Sequence, residues 1–216
     1  MKSIIRLGGA VLCAGLLAMA PLRAAVPEDV ARLQQEWEKI KYQFPAAEQE
    51  SAFERLAQEA GKVAAQHPNS AEVLTWQAII ESTYAGAKGG LGGLSHAKSA
   101  RKILEQAIAI NPEALGGSAY TSLGSLYYQV PGWPVGFGDD KKAVELLKKG
   151  LALNPDGIDP NYFYGDYLFR SGDLDGAERV LQKAQQAPAR AGRKLADEGR
   201  RREIQQLLDK IAAKRK

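Results

Sequence analysis

The stretch Gly116–Pro188 reads GGSAYTSLGSLYYQVPGWPVGFGDDKKAVELLKKGLALNPDGIDPNYFYGDYLFRSGDLDGAERVLQKAQQAP, and it holds one supersecondary unit twice. In the second copy Gly165 is followed by Ala177, Leu181 and Ala184, and the unit closes near Pro188. In the first, Ala143, Leu147 and Gly150 repeat the last three of those positions, and Asn154-Pro155 closes it. Ala143 and Ala177 are 34 residues apart. A small residue on each helix of a pair lets the two backbones approach, and the larger residues around them fill the space beside the contact. One such pair cannot bury both its faces, so a 34-residue period implies pairs stacked on one another around a continuous core.

Working outward, the same frame reaches back to residue 70. In the fourth unit Tyr164-Gly165, Leu168, Gly172-Asp173, Ala177, Leu181 and Ala184 are all in register. The third has Tyr120, Leu123, Gly124 and Tyr127, then seven residues more than the frame allows before Ala143, the excess being PGWPVGFGDD. The second unit carries Leu74, Ala78 and Ile79 on its first helix and Ala100, Leu104 and Ala107 on a second helix expected over 95–110. Ten extra residues separate its halves, among them GAKGGLGG, Gly86 to Gly93. Before these, Val30, Leu33, Trp37 and Ile40 predict one amphipathic helix and Phe53, Leu56, Ala60 and Val63 another, with Phe44-Pro45 as the turn. Ser70, three residues before Val73, marks a helix start.

These positions resemble the tetratricopeptide repeat (TPR) family over roughly 70–188. The resemblance implies an all-α, short right-handed superhelix of about four hairpins. Residues 25–69 form an N-terminal hairpin, 70–188 the repeats with two insertions between helices, and 189–216 a basic capping helix. On that helix Ile204, Leu207, Leu208 and Ile211 make the apolar stripe, leaving Arg200, Arg201, Arg202, Lys210 and Lys214 for a solvated outer face. The phrases GAKGGLGGL and LNPDGIDPNYFYGDYL also look like periplasmic T-component proteins associated with TRAP transporters. That likeness implies an accessory role in solute uptake, with the alternative of a small-ligand component that holds its ligand between the two inserts and cooperates with a transporter.

The first 24 residues stand apart. Lys2 and Arg6 precede an apolar run from Leu7 to Ala20, and Ala24 and Ala25 are small, which is the pattern of a cleaved signal peptide. The run is shorter than the roughly 20 residues a membrane span needs. Cys13, the sole cysteine, lies inside the run after Leu12 and makes a poor lipidation site, so the exported chain is expected to fold without thiols in the periplasm. Lys2, Arg6 and Arg23 carry three of the four net positive charges, and 190–216 holds ten Lys/Arg against four Asp/Glu. A near-neutral body with a basic tail argues against nucleic acid as a partner. It leaves membrane contact through the last helix as a minor option.

No cofactor, metal or catalytic set is expected. His67 and His96 have no cysteine or metal-ligand spacing near them, and both are expected at the surface. The glycine-rich Gly86–Gly93 lacks the Gly-Lys-Ser/Thr ending of a phosphate loop and joins two helices, so it reads as a long turn. Two surfaces remain for a protein or peptide partner of the cell envelope. In TPR proteins certain first-helix positions line a concave groove, and here they fall on Ser118, Thr121, Ser125, Tyr128 and Gln129 in one unit. In the next they fall on Asp159, Tyr162, Asp166, Phe169 and Arg170. The aromatic and charged members suit a peptide, though packing against the N-terminal helices would account for the tyrosines equally well. The second surface is the insert edge, where Trp133 and Phe137 either contact a partner or fold back over the stack. Both insertions fall between the two helices of their repeats, so they are expected side by side. Asp139 or Asp140 caps the helix that follows.

Overall fold

The computed structural model describes residues 25–215, and the signal-peptide reading and Cys13 lie outside them. Within that range the chain is nine α-helices and a short 3-10 turn at Ala114–Gly116. α1 is Ala25–Gln43, α2 Ala46–Gln66, α3 Ala71–Lys88 and α4 Gly90–Ile110. α5 spans Ser118–Gln129, α6 Asp140–Leu153, α7 Ile158–Ser171, α8 Leu174–Gln185 and α9 Lys194–Lys214. The fold is an all-α superhelix of the TPR type. Consecutive helices pair as hairpins, and α1, α3, α5 and α7 lie side by side as one layer with the even-numbered helices behind.

Local chemistry places the ends. The Ser70 hydroxyl accepts from the Val73 amide at 3.3 Å, and Asp139 accepts from the amides of Lys141 and Lys142 at 3.0 and 3.1 Å. Each satisfies amide donors that a helix N-terminus otherwise leaves open. Small-to-large packing holds the regular hairpin. A Cβ on Gly165 would stand 2.7 Å from Leu181 Cγ, closer than carbon atoms approach, so only glycine lets α7 and α8 meet there. Val30, Leu33, Phe53, Leu56, Ala60 and Val63 are buried, as their periodicity requires.

Three expectations are corrected. The glycine-rich segment is not a long turn: α3 continues to Lys88 and α4 begins at Gly90, so the ten additional residues lengthen both helices of the second hairpin. Glycine is still needed there for two reasons. Gly89 and Gly90 carry φ of 66° and 56°, which turn the chain within two residues, and a side chain on Gly93 would collide with the Ala85 carbonyl oxygen. His67 is not a surface residue. Its side chain is 8% exposed and its Nε2 lies 3.1 Å from Asp29 Oδ2, tying the end of α2 to the start of α1. His96 is half-buried, with Nδ1 2.8 Å from Glu81 Oε1.

The third correction concerns α9. It packs on α8 and α7 and also reaches α1, so the last helix meets the first and closes the inner layer on itself. Its N-terminal half therefore faces protein: Asp197, Gly199 and Arg200 are buried along with Ile204, Leu207 and Ile211. Arg200 is not on a solvated face. The apolar interior falls into two clusters, one running from Val30 to Ala143 and one joining α7, α8 and α9 around Ile158, Leu181 and Ile204.

Candidate functional site

The groove residues divide according to what covers them. Tyr128, Gln129, Asp166 and Arg170 come together at the junction of the two apolar clusters. The Tyr128 hydroxyl donates to Asp166 Oδ2 at 2.8 Å, and Arg170 Nε donates to the same oxygen at 3.0 Å. The Arg170 guanidinium stands 5.4 Å from the Tyr128 ring centre, and Gln129 Nε2 donates to the Tyr128 hydroxyl at 3.2 Å. Burial, reinforced by the Asp166 charge, pushes the Tyr128 phenol well above its usual range, so it stays a proton donor. This network joins α5 to α7 beside the edge-to-face contact of Tyr128 with Tyr167, 5.8 Å apart.

Asp159, Tyr162 and Phe169 are instead engaged by the C-terminal segment. Asp159 accepts from Arg190 Nη1 at 2.6 Å and from Arg200 Nε at 2.8 Å. Burial alone would raise its carboxyl, but Arg200 and Arg190 outweigh that and hold it well below the ordinary carboxylate range. The Arg200 guanidinium lies 4.2 Å from the Tyr162 ring centre, and Lys214 Nζ lies 4.5 Å from that of Phe169. Across the closure Arg193 Nε donates to Glu38 at 3.2 Å and the Tyr42 hydroxyl to Glu203 at 3.4 Å. Residues 159, 162 and 169 thus form the seat of α9. Of the seat's cationic half, Arg190 and Arg193 carry no signal in the repeat frame because they lie beyond the last repeat, and Arg200 reads in the sequence as part of the solvated face.

The two inserts do lie side by side. Between them runs a cleft of about 480 Å³ whose walls include Gly89, Leu91 and Leu94 from one side and Val130, Pro131 and Val135 from the other, with Gln129 at its edge. The two aromatic rings of the second insert behave differently. Phe137 folds back, 5.5 Å from Tyr127 edge to face and 4.7 Å beneath the Arg101 guanidinium. Trp133 turns outward and is 90% exposed. It is not a loose tip: Gly138 N donates to the Pro131 carbonyl at 2.9 Å, Gly136 N to that of Gly132 at 3.0 Å, and Asp139 N to that of Tyr127 at 2.9 Å. Leu91, at 81%, and Val135, at 57%, are exposed on the cleft itself, and Trp133 adds a third large apolar side chain in water two residues from Val135.

The geometry defines a superhelix of helical hairpins, closed on its inner side by α9 and apolar along its insert edge. Among solved structures the chain is similar to TTC0263, a thermophilic TPR protein of Thermus thermophilus. Identity is 17% over 83% of this chain and 98% of that one, with a TM-score of 0.52. It is also similar to MamA, at 18% identity over 76% and 90% of the two chains with a TM-score of 0.43. For MamA 41-end from Desulfovibrio magneticus RS-1 the identity is 14% over 86% and 94%, again with a TM-score of 0.43. At such identities the likeness concerns fold alone. No family model and no curated protein matches the sequence.

Proposed function

We propose that this chain is a non-enzymatic scaffold of the cell envelope that binds another protein through its insert edge. One observation carries the reading: Leu91 and Val135 stand exposed on a cleft built jointly by the two insertions, and Trp133 stands exposed in the same hydrogen-bonded loop as Val135. A buried aromatic anchor surrounded by apolar contacts is what concentrates binding energy at protein interfaces, and this edge supplies both the anchor and a recess beside it. The partner would present an amphipathic helix, its apolar face in the cleft and against Trp133. The inner groove is the less suitable surface, because α9 already sits on Asp159, Tyr162 and Phe169. Export to the periplasm rests on Lys2, Arg6, the Leu7–Ala20 run and Ala24.

The test is capture of envelope proteins by the purified chain carrying Trp133→Ala with Leu91→Ser, set beside Tyr128→Phe with Arg170→Ala. Loss of the captured protein in the first pair alone supports the insert edge; loss in the second alone moves the site to the groove. A narrower version, in which the partner is a component of a TRAP-type solute transporter, draws on the GAKGGLGGL and LNPDGIDPNYFYGDYL phrases. Mass-spectrometric identification of the captured protein decides it.

A further inference from the structure

The closure by α9 creates something the repeat pattern does not. Behind it, between α1, α3, α5, α7 and α9, lies a chamber of about 390 Å³, within the size range of small-molecule sites. Its walls are of two kinds. Trp37, Trp76, Phe163 and Leu115 provide apolar surface, and Ser118 and Ser122 of α5 provide hydroxyls. Trp37 and Trp76 meet edge to face at 6.0 Å, and the Trp37 indole N–H is already spent on Thr83 at 2.9 Å, so the Trp37 ring offers apolar surface and no donor. Leu115 adopts φ 52°, a left-handed conformation that costs a branched residue energy and is held only where the surroundings impose it.

Three guanidinium groups border this space, and one of them is incompletely used. Arg190 is bound by Asp159 and Asp197, and Arg200 by Asp159 and Glu203. Arg193 is 9% exposed, and only its Nε is engaged, by Glu38; among the described residues its two amino groups donate no hydrogen bond. Its guanidinium lies 4.9 Å from the Trp76 ring centre. Burial, and then the neighbouring Arg190, push its pKa down, so Glu38 and Asp159 compensate its charge only in part. A buried cation with a free planar fork beside an aromatic wall is matched by a carboxylate on an apolar body. Glu38, Asp156, Asp159, Asp197 and Glu203 already lie around the chamber or its arginines, so a dianion such as phosphate would meet about twice the repulsion that a single carboxylate meets.

We propose that the chamber binds a small monocarboxylate with an apolar, flat body, its carboxylate on the Arg193 amino groups and its body between Trp76 and Phe163. The proposal does not rest on partner docking at the insert edge, whose cleft is a separate cavity that shares only Ser82 with this one.

Calorimetric titration of the full chain with phenylacetate and with hexanoate tests this, using phenylacetamide and 2-phenylethylamine as shape-matched neutral and cationic controls. At least one carboxylate should bind saturably. Phenylacetamide should be weaker by about tenfold or more, and the amine should not bind. Arg193→Gln should abolish the preference for carboxylate over amide. Should that variant unfold by loss of the Glu38 contact, Ser122→Phe decides, since it fills the chamber from α5 without touching the α1–α9 closure, and it should remove binding. The proposal is overturned by absence of saturable binding for both carboxylates, by equal affinity for carboxylate and amide, or by unchanged binding in folded Ser122→Phe.

Discussion

Two parts of this molecule depart from the repeat pattern, and they dispose of their exposed chemistry in opposite ways. At the α9 closure charged groups are brought inward and answered by partners from the same chain: Asp159 by two arginines, Glu203 by Arg200 and Tyr42, Glu38 by Arg193. At the insert edge apolar groups are held outward, and the described residues leave Leu91, Trp133 and Val135 largely exposed. A region that satisfies itself contributes to stability, whereas the one kept ordered but exposed is the surface proposed to bind. The contrast teaches that aromatic and charged residues in a single sequence are ambiguous until it is known which part of the same chain covers them.

The comparison can be broken most severely at Gly199. A side chain there would run into the Tyr42 ring, so Gly199→Leu should force α9 from α1. Overpacking of this kind costs about 2–3 kcal/mol, read as a lower urea midpoint. Next comes Asp159→Asn, which leaves Arg190 and Arg200 short of a charge partner in a partly shielded place; about 2 kcal/mol is expected at neutral pH. The sign of its pH dependence follows from the lowered carboxyl. The folded form holds the proton less readily than the unfolded chain, so the stabilisation is present above about pH 3.9 and is lost as pH falls below it. Acid titration of wild type should show this loss and the Asn variant should lack it. Third is Phe137→Ala, which uncovers Tyr127 and Arg101 and should cost about 1–2 kcal/mol by thermal unfolding, short of a full core truncation because Phe137 is only half-buried. Trp133→Ala, four residues away, should change stability by no more than about 0.5 kcal/mol, since the side chain touches mainly water.

The repeat frame was legible because small-large spacing is a local property. Ala100, Leu104 and Ala107, or Gly165, Ala177 and Leu181, can meet only in one geometry, and each is buried in it. The glycine-rich turn is shorter than its composition suggests for a physical reason. Glycine permits a turn without requiring one, and only Gly89 and Gly90 turn here while the others continue α3 and α4. The α9 closure was harder, because its contacts join residues more than 150 positions apart, such as Arg193 with Glu38. One signal was available. Gly199 interrupts an otherwise strong helix-forming run, which suggests close approach by another element. Within the candidate site, the adjacency of the two inserts followed from their common place in the repeat. The opposite fates of Trp133 and Phe137 did not, since both are large aromatics in one short loop and only the position of Tyr127 and Arg101 separates them.

The central claim is that partner recognition occurs at the unsatisfied edge and not at the self-satisfied groove. A photoreactive amino acid placed at position 133 and, separately, at position 162, followed by irradiation in intact cell envelopes, tests it directly. Position 133 should yield an adduct with a second protein, and position 162 should label only this chain's own C-terminal segment. An adduct with a second protein from position 162 and none from 133 would contradict the account, showing that a partner displaces α9 and takes the groove.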